Sequence, residues 1–337
     1  MLNYVIVGLG GLGKLHLSNY FSIKEQKEVN LVALCDIEPE QFEKKIELNI
    51  ASDNASIDLS QFHLYTDIDE LLAHEKIDFA VMALPTYLHA QMAVKLMDKG
   101  IHVFTEKPMA LNLEECQSMI DAAGRNKVKL QVGQCVRFDV QRLNLKKLMD
   151  EGKYGKVIRA EFSRVSKTPL WSWQNWYMDF DKSGGAALDL HVHDVDCVQW
   201  LFGMPKSVVA SATHKMSKFD TITSNFHYDD FYVTTMTDWC MAPGVPFTVR
   251  GVVNCEGASI FLENDRSLKV CEADGNIYSI PCDPMNDMSV DEVVEFIDCI
   301  ETGKESEIIT PESTMDSIRL ALAEQEAALK GEMVYVQ

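Results

Sequence analysis

Hydrophobic positions fall into two rhythms along this 337-residue chain. In its first part, short continuous apolar runs alternate with segments of helical period. The runs are Tyr4–Val7, Leu31–Cys35, Asp78–Leu84, Ile101–Phe104 and Lys129–Val132. Runs of this length without polar alternation predict strands buried on both faces. After Gly13, Leu15, Leu17, Tyr20 and Phe21 recur at helical spacing. The same period predicts helices over Glu40–Leu48, Asp67–Ala73 and Leu113–Gly124, and one entered through Pro85-Thr86-Tyr87 that runs to Lys99 and stops at Gly100. Residues 49–63 are polar and read as a loop. Strands alternating with helices predict an α/β, doubly wound parallel sheet.

Beyond Gly133 the rhythm changes. A helix over Val140–Glu151 is followed by strand patterns at Lys156–Arg164, Ser207–His214, Phe231–Cys240, Pro246–Cys255, Ala258–Leu262, Leu268–Glu272 and Ile277–Ile280. Consecutive strands at hairpin-like spacing predict a C-terminal α+β domain with a largely antiparallel open sheet. Helices over Val290–Glu301 and Pro311–Leu329 close the chain. The expected division is residues 1–134 and 135–337. One face of the second sheet needs cover, and oligomerisation would supply it.

Between these strands lies S-G-G-A-A-L-D-L-H-V-H-D-V-D-C-V-Q-W-L-F-G, from Ser183 to Gly203. Leu188, Val192, Val195, Val198 and Leu201 predict one amphipathic helix starting after Gly185. On it Asp189, His193 and Asp196 fall on one face, since positions three and four apart are neighbours. A carboxylate one turn from an imidazole is an orient-and-deprotonate pair, or else a solvated polar face. The glycine pair gives backbone room beside it. The preceding residues 165–182 are irregular and aromatic, with Trp171, Trp173, Trp176, Tyr177 and Phe180. They read either as a platform for a sugar ring or as a clamp on the helix.

Composition narrows the partners. Hydrophobic residues at 47% and charged residues at 24% are ordinary for a globular chain. The net charge of −20 argues against nucleic acid or an anionic membrane surface, both of which need basic patches. Nine cysteines without a Cys-x-x-Cys pair read as free thiols in a reducing compartment, not as a zinc site or disulfide framework, and no metal is expected. With no leader-like segment and no apolar run of membrane-spanning length, a cytoplasmic location is the expectation.

Gly8, Gly10 and Gly13 form G-x-G-x-x-G between a strand and a helix, the Rossmann fingerprint for a dinucleotide. The helix start aims backbone N–H groups at a pyrophosphate. Asp36 closes the second strand, 23 positions after Gly13, where a carboxylate accepts from ribose hydroxyls and repels a 2′-phosphate. Ile37 and Glu38 follow, with no arginine, so the expectation is NAD over NADP. The alternative is that Asp36 caps the next helix. Ligands of such sheets lie beyond the carboxyl ends of the strands, which gathers the glycine loop, Asp36, Pro85-Thr86 and Glu106-Lys107 at one crevice. The Lys107 ammonium either stabilises charge developing on a substrate oxygen or pairs with Glu106.

Gly8-x-Gly10-x-x-Gly13, Pro85-x-x-x-His89, Glu106-Lys107-Pro108, Gly184-Gly185 and Asp189-x-x-x-His193, in this order, resemble the glucose–fructose oxidoreductase / inositol dehydrogenase (Gfo/Idh/MocA) family across essentially the whole chain. The resemblance implies an NAD(P)-dependent dehydrogenase of sugars, cyclitols or polyols, with Lys107, Asp189 and His193 as a catalytic triad. It implies a homodimer or homotetramer formed through the second domain's sheet. Cofactor contacts are expected from Gly8, Gly10, Gly11, Leu12, Gly13, Asp36, Ile37, Leu84, Pro85, Thr86, His89, Glu106 and Lys107. Substrate contacts are expected from Lys107, Arg137, Trp176, Asp189 and His193, with a structural salt bridge as the alternative for Arg137. The chain departs from the family pattern at Leu84, which replaces a small hydroxyl residue, at Ala186, which replaces a glycine, and at His191, which replaces the glycine of Asp-x-Gly-x-His. On a regular helix His191 faces away from Asp189 and His193 and meets a neighbouring loop or subunit.

The resulting expectation is hydride transfer between a secondary alcohol and nicotinamide, with His193 as proton acceptor. Two alternatives remain: an NAD-dependent reaction with no net redox, such as glycoside cleavage or elimination, and a non-catalytic NAD/sugar sensor.

Overall fold

The computed structural model describes residues 1–43, 57–263, 266–282 and 287–336. Most of the helix expected over Glu40–Leu48, and residues 49–56 of the expected loop, lie outside the described residues. The chain divides into two compact units. One comprises Met1–Ala110, Glu114–Gly133 and Ser289–Pro311; the other comprises Leu111–Leu113, Gln134–Met288 and Glu312–Gln337.

The first unit is built on β1 (Leu2–Val7), α1 (Gly11–Gln26), β2 (Val29–Cys35), β3 (His63–Tyr65), α2 (Ile68–His74), β4 (Phe79–Met82), α3 (His89–Met97), β5 (His102–Glu106), α4 (Leu113–Asn126) and β6 (Leu130–Gly133). All six strands are parallel, in the order β3-β2-β1-β4-β5-β6. Every residue of β4 is buried, as an uninterrupted apolar run requires when helices cover both faces. β3 begins at the last residue of the stretch read as loop and was not expected: His63 and Leu64 are exposed, so this edge strand has no apolar pattern.

The second unit holds α5 (Val140–Asp150), β7 (Val157–Val165), α6 (Phe180–Ser183), α7 (Gly185–Asp189), α8 (Val192–Phe202), β8 (Ser207–Thr213), β9 (Thr221–His227), β10 (Tyr232–Asp238), β11 (Thr248–Cys255), β12 (Ala258–Leu262), β13 (Leu268–Glu272) and β14 (Ile277–Ile280). Two more helices follow, α9 (Met288–Thr302) and α10 (Pro311–Lys330), then a short β15 (Val334–Tyr335). Its nine strands run β14-β13-β12-β11-β7-β10-β9-β8-β15, antiparallel except for the central β7–β10 pair. One face buries Ala160, Phe162, Val233, Val253, Ile260 and Val270 against α8 and α10.

α9 departs from the expected domain division. Although it follows the second sheet in sequence, it packs in the first unit. Val290, Val293, Phe296 and Ile297, one helical stripe, join the core of Tyr4, Ile6, Phe79 and Phe104. The Phe296 ring lies 5.9 Å from both Phe79 and Phe104. Among the described residues no helix is long and apolar enough to cross a membrane.

Candidate functional site

In the first unit, β1 runs into the glycine loop. Gly8 has φ +90°, and a Cβ there would meet the Ala83 carbonyl oxygen at 2.5 Å. A Cβ on Gly13 would lie 1.8 Å from the Gly8 oxygen, so this glycine lets α1 pack against the loop. Above Gly10 there is open space. α1 starts at Gly11 with no side-chain cap at Gly10, and first-turn N–H groups have no intrahelical acceptor. An uncapped helix start beneath an open glycine is where a pyrophosphate fits. Gly11 and Leu12 are half-buried on that first turn.

Asp36 directly follows β2 and meets this loop. Its Oδ2 accepts from Leu9 N–H at 2.6 Å and its Oδ1 from Glu38 N–H at 2.9 Å. Ile37 is exposed. Past β4, Leu84 and Pro85 are half-buried and Thr86 is buried, its Oγ1 without a hydrogen-bond partner among the described residues. His89 is fully buried, with Nε2 2.8 Å from the Leu84 carbonyl oxygen and Nδ1 2.9 Å from that of Pro108. Burial presses its pKa below the ordinary imidazole value, partly opposed by those two carbonyls. The ring ties the turn after β4 to the turn after β5, where Lys107 is half-buried and its peptide to Pro108 is cis. Glu106 has a buried partner on α1. Its Oε1 lies 2.7 Å from Nε2 of the buried His16 on α1. His16 has no role in the sequence reading, because nothing in α1's periodicity distinguishes it.

In the second unit, the helix expected across Gly185–Gly203 is broken. The Ala186 carbonyl accepts from both Leu190 N–H (3.0 Å) and His191 N–H (2.8 Å), a wide turn that closes α7. The His191 carbonyl then opens α8, accepting from Asp194 and Val195. Asp189 therefore ends one helix and His193 sits in the first turn of the next. Asp189 is 7% exposed and His193 is half-buried. The room at Gly185 is taken by the unit's own chain, for a Cβ there would come within 2.2 Å of the Lys218 oxygen.

Two acidic residues of this segment, Asp196 of the predicted polar face and Asp194 beside it, are held in buried ion pairs. Asp196 is fully buried and receives both Nε and Nη2 of Arg137, at 2.8 and 2.7 Å, together with Ser317 Oγ at 2.7 Å. Arg137, 1% exposed, also donates to Ser313 and Gln199. The Asp196 carboxylate is thus spent on Arg137 and Ser317, and the salt-bridge alternative for Arg137 is the one the contacts display. Asp194 pairs with Arg164 at 3.0 and 3.1 Å. His191 points into its own unit and not to a loop or subunit. Its Nδ1 lies 2.8 Å from Glu324 Oε1 on α10, and Ser224 of β9 donates to the other carboxylate oxygen at 2.7 Å.

The aromatic segment is packed on itself. Tyr177 lies 4.3 Å from the Trp176 ring, 5.4 Å from Trp171 and 5.9 Å from the buried Trp239. Trp176 stays half-buried, and the preceding Gln174 and Asn175 both take left-handed backbone (φ 48° and 54°).

Residues 2–134 match the model of the oxidoreductase family with an NAD-binding Rossmann fold, and residues 143–261 match the GFO/IDH/MocA C-terminal domain. Among relatives, a 2,7-anhydro-N-acetylneuraminate hydratase of Mediterraneibacter gnavus is 30% identical over 68% of this chain and 59% of its own length. The chain thus spans little more than half of that protein. An inositol 2-dehydrogenase of Rhizobium meliloti is 27% identical over 96% of this chain and 95% of its own. A levoglucosan dehydrogenase solved with NADH and L-sorbose shares the fold, with TM-score 0.86 at 18% identity, covering 100% of this chain and 99% of that one. With the first unit an NAD-binding domain and both family models matched in order, the chain belongs to the Gfo/Idh/MocA oxidoreductase family.

Proposed function

We propose that this chain is an NAD-dependent dehydrogenase of a secondary alcohol on a sugar, cyclitol or polyol-like substrate, with Lys107, Asp189 and His193 as its catalytic set. The observation that carries this reading is the second unit's helix break, which leaves Asp189 and the half-buried His193 flanking one turn while Asp194 and Asp196 are spent in ion pairs. Imidazole titrates near neutrality and takes a hydroxyl proton without prior activation. The Lys107 ammonium stabilises the oxygen that becomes negative. Asp189 fixes the substrate hydroxyl or the His193 ring. NAD, when bound, supplies the hydride acceptor. Gly8–Gly13 and Asp36 would hold its pyrophosphate and ribose, with Thr86 Oγ1 as a further buried donor. The preference for NAD over NADP rests on the carboxylate at Asp36.

The outward face of the second sheet supports a homodimer or homotetramer. Tyr232, Phe261 and Ile277 stand exposed there, opposite the buried Val233, Ile260 and Val270. Sedimentation velocity measures the assembly directly.

The hydratase relative favours a second reading, in which NAD is held but not consumed. One assay separates the two. Across a panel of sugars, cyclitols and anhydrosugars, NADH absorbance rises with substrate if the chain is a dehydrogenase. Product without net NADH supports the second reading, and neither signal with any substrate refutes both.

A further inference from the structure

We propose that His191 is a positioning residue, which with Glu324 and Ser224 sets the turn carrying Asp189 and His193. The inference rests on the reading that those two residues handle the proton. His191 occupies the junction of α7 and α8. Its N–H closes one helix on Ala186, and its carbonyl opens the next on Asp194 and Val195. Its side chain is the part of that junction joined to the rest of the unit. Nδ1 meets Glu324 Oε1 at 2.8 Å, and Ser224 Oγ completes the carboxylate at 2.7 Å. His191, Glu324 and Ser224 are all fully buried.

Two of the three stand where an apolar residue would pack. Glu324 lies on the α10 stripe of Leu320 and Ala327. Ser224 is the inward position of β9 between Ile222 and Phe226, both buried. A carboxylate in such a place is retained at a cost unless paired, so three elements converge on one imidazole. The Nε2 atom of His191 has no partner among the described residues, so the Glu324 contact is what orients the ring. The charged neighbours, Asp194 and Arg164, are spent on each other. A ring held on one side and tied by its backbone to two helices transmits its position to residues two places away in each direction.

The test uses Glu324→Ala, Glu324→Gln and His191→Gln in the full chain. Glutamine at 324 still accepts from Ser224 and still hydrogen-bonds an imidazole. Glu324→Ala is expected to lower kcat about a hundredfold, the scale of a catalytic group displaced by about 1 Å, with KM and NAD affinity near wild type. Glu324→Gln should restore most of kcat. Unchanged kcat in Glu324→Ala, or no recovery in Glu324→Gln, overturns the proposal. The His193 ring 15N resonances give a readout without turnover and serve where Glu324→Ala does not fold. They should move in His191→Gln and stay in Glu324→Gln; unmoved signals in His191→Gln overturn the proposal. If the wild type turns over nothing across the panel, the proton-transfer reading fails, while these resonances still decide the positional claim.

Discussion

The backbone N–H of Leu9 donates to Asp36 Oδ2 over 2.6 Å, tying the end of β2 to the glycine loop. With Glu38 N–H on the other oxygen, the carboxylate keeps lone pairs for further donors, since it offers about four acceptor sites. Asp36→Ala is therefore expected to weaken NAD binding by about 10- to 100-fold, the worth of hydrogen bonds to a charged group. It should weaken NADP binding much less. Fluorescence titration with both nucleotides checks this, and an unchanged NAD/NADP ratio would remove Asp36 from ribose recognition.

Gly10 and Gly13 make a controlled pair. A Cβ at Gly10 enters open space, and its φ of −64° suits any residue. Gly10→Ala should leave the thermal midpoint nearly unchanged and impair NAD binding, because the methyl occupies the space above the helix start. Gly13→Ala places a methyl 1.8 Å from the Gly8 oxygen and should destabilise the unit itself. Thermal melts with and without NAD distinguish the two. Equal destabilisation by both would mean that the space at Gly10 serves packing.

His193→Ala should cut turnover by about 10²- to 10⁴-fold, the usual contribution of a positioned general base. NAD affinity should persist, since the glycine loop and Asp36 belong to the other unit. Turnover within a few-fold of wild type would refute the assignment.

What the residue pattern conveyed depended on how apolar each element is. The parallel strands other than β3, being largely apolar, were legible, as were α10 and the hairpins from Ala258 to Ile280. β9 was not: its inward positions read Ile222, Ser224, Phe226, and a serine breaks the alternation. That serine is inward because Glu324 is there to accept its hydrogen bond. Glu324 itself was detectable in principle, at positions four and three from Leu320 and Ala327 on one helical stripe. The break at Leu190–His191 was illegible for the same reason. Apolar spacing from Leu188 to Leu201 runs straight through it, and the turn is set by a tertiary contact. α9's change of unit follows from packing that no local pattern records. At the site, the glycine loop was legible because it carries a local backbone demand. The burial of Asp196 was not legible, because a polar residue on a helix face reads as solvated unless its partner is known.

Arg137 now carries a stability prediction. Removing it strands the fully buried Asp196 carboxylate, with Ser317 as its other hydrogen-bond donor. Arg137→Met should cost about 3–5 kcal/mol, as for other broken buried pairs. Arg137→Met combined with Asp196→Leu should recover much of that loss. Urea unfolding of the single and double variants checks this. A stable single variant with a raised KM would return Arg137 to the substrate.

The His191–Glu324 pair makes stability depend on pH with a definite sign. Burial opposes the imidazolium, but the Glu324 carboxylate, through its charge and then its hydrogen bond, outweighs it and leaves the His191 pKa raised. In the unfolded chain the same ring titrates near its ordinary value of about 6.5. A group bound more tightly to its proton when folded contributes fully below the unfolded pKa and loses that contribution as pH rises through the folded one. Wild type should therefore exceed His191→Gln in stability by most at about pH 6, and the gap should narrow toward alkaline pH. Its slope cannot exceed one proton, about 1.4 kcal/mol per pH unit. Taking the difference between the two proteins cancels every histidine they share. Asp139, whose carboxyl is held low by Arg142 and Arg266 against its burial, acts only at lower pH, where its contribution is lost as pH falls. Urea denaturation at intervals from about pH 6 to pH 9 measures the gap. A gap that stays constant would mean that the buried ring is neutral, and one that widens would reverse the sign.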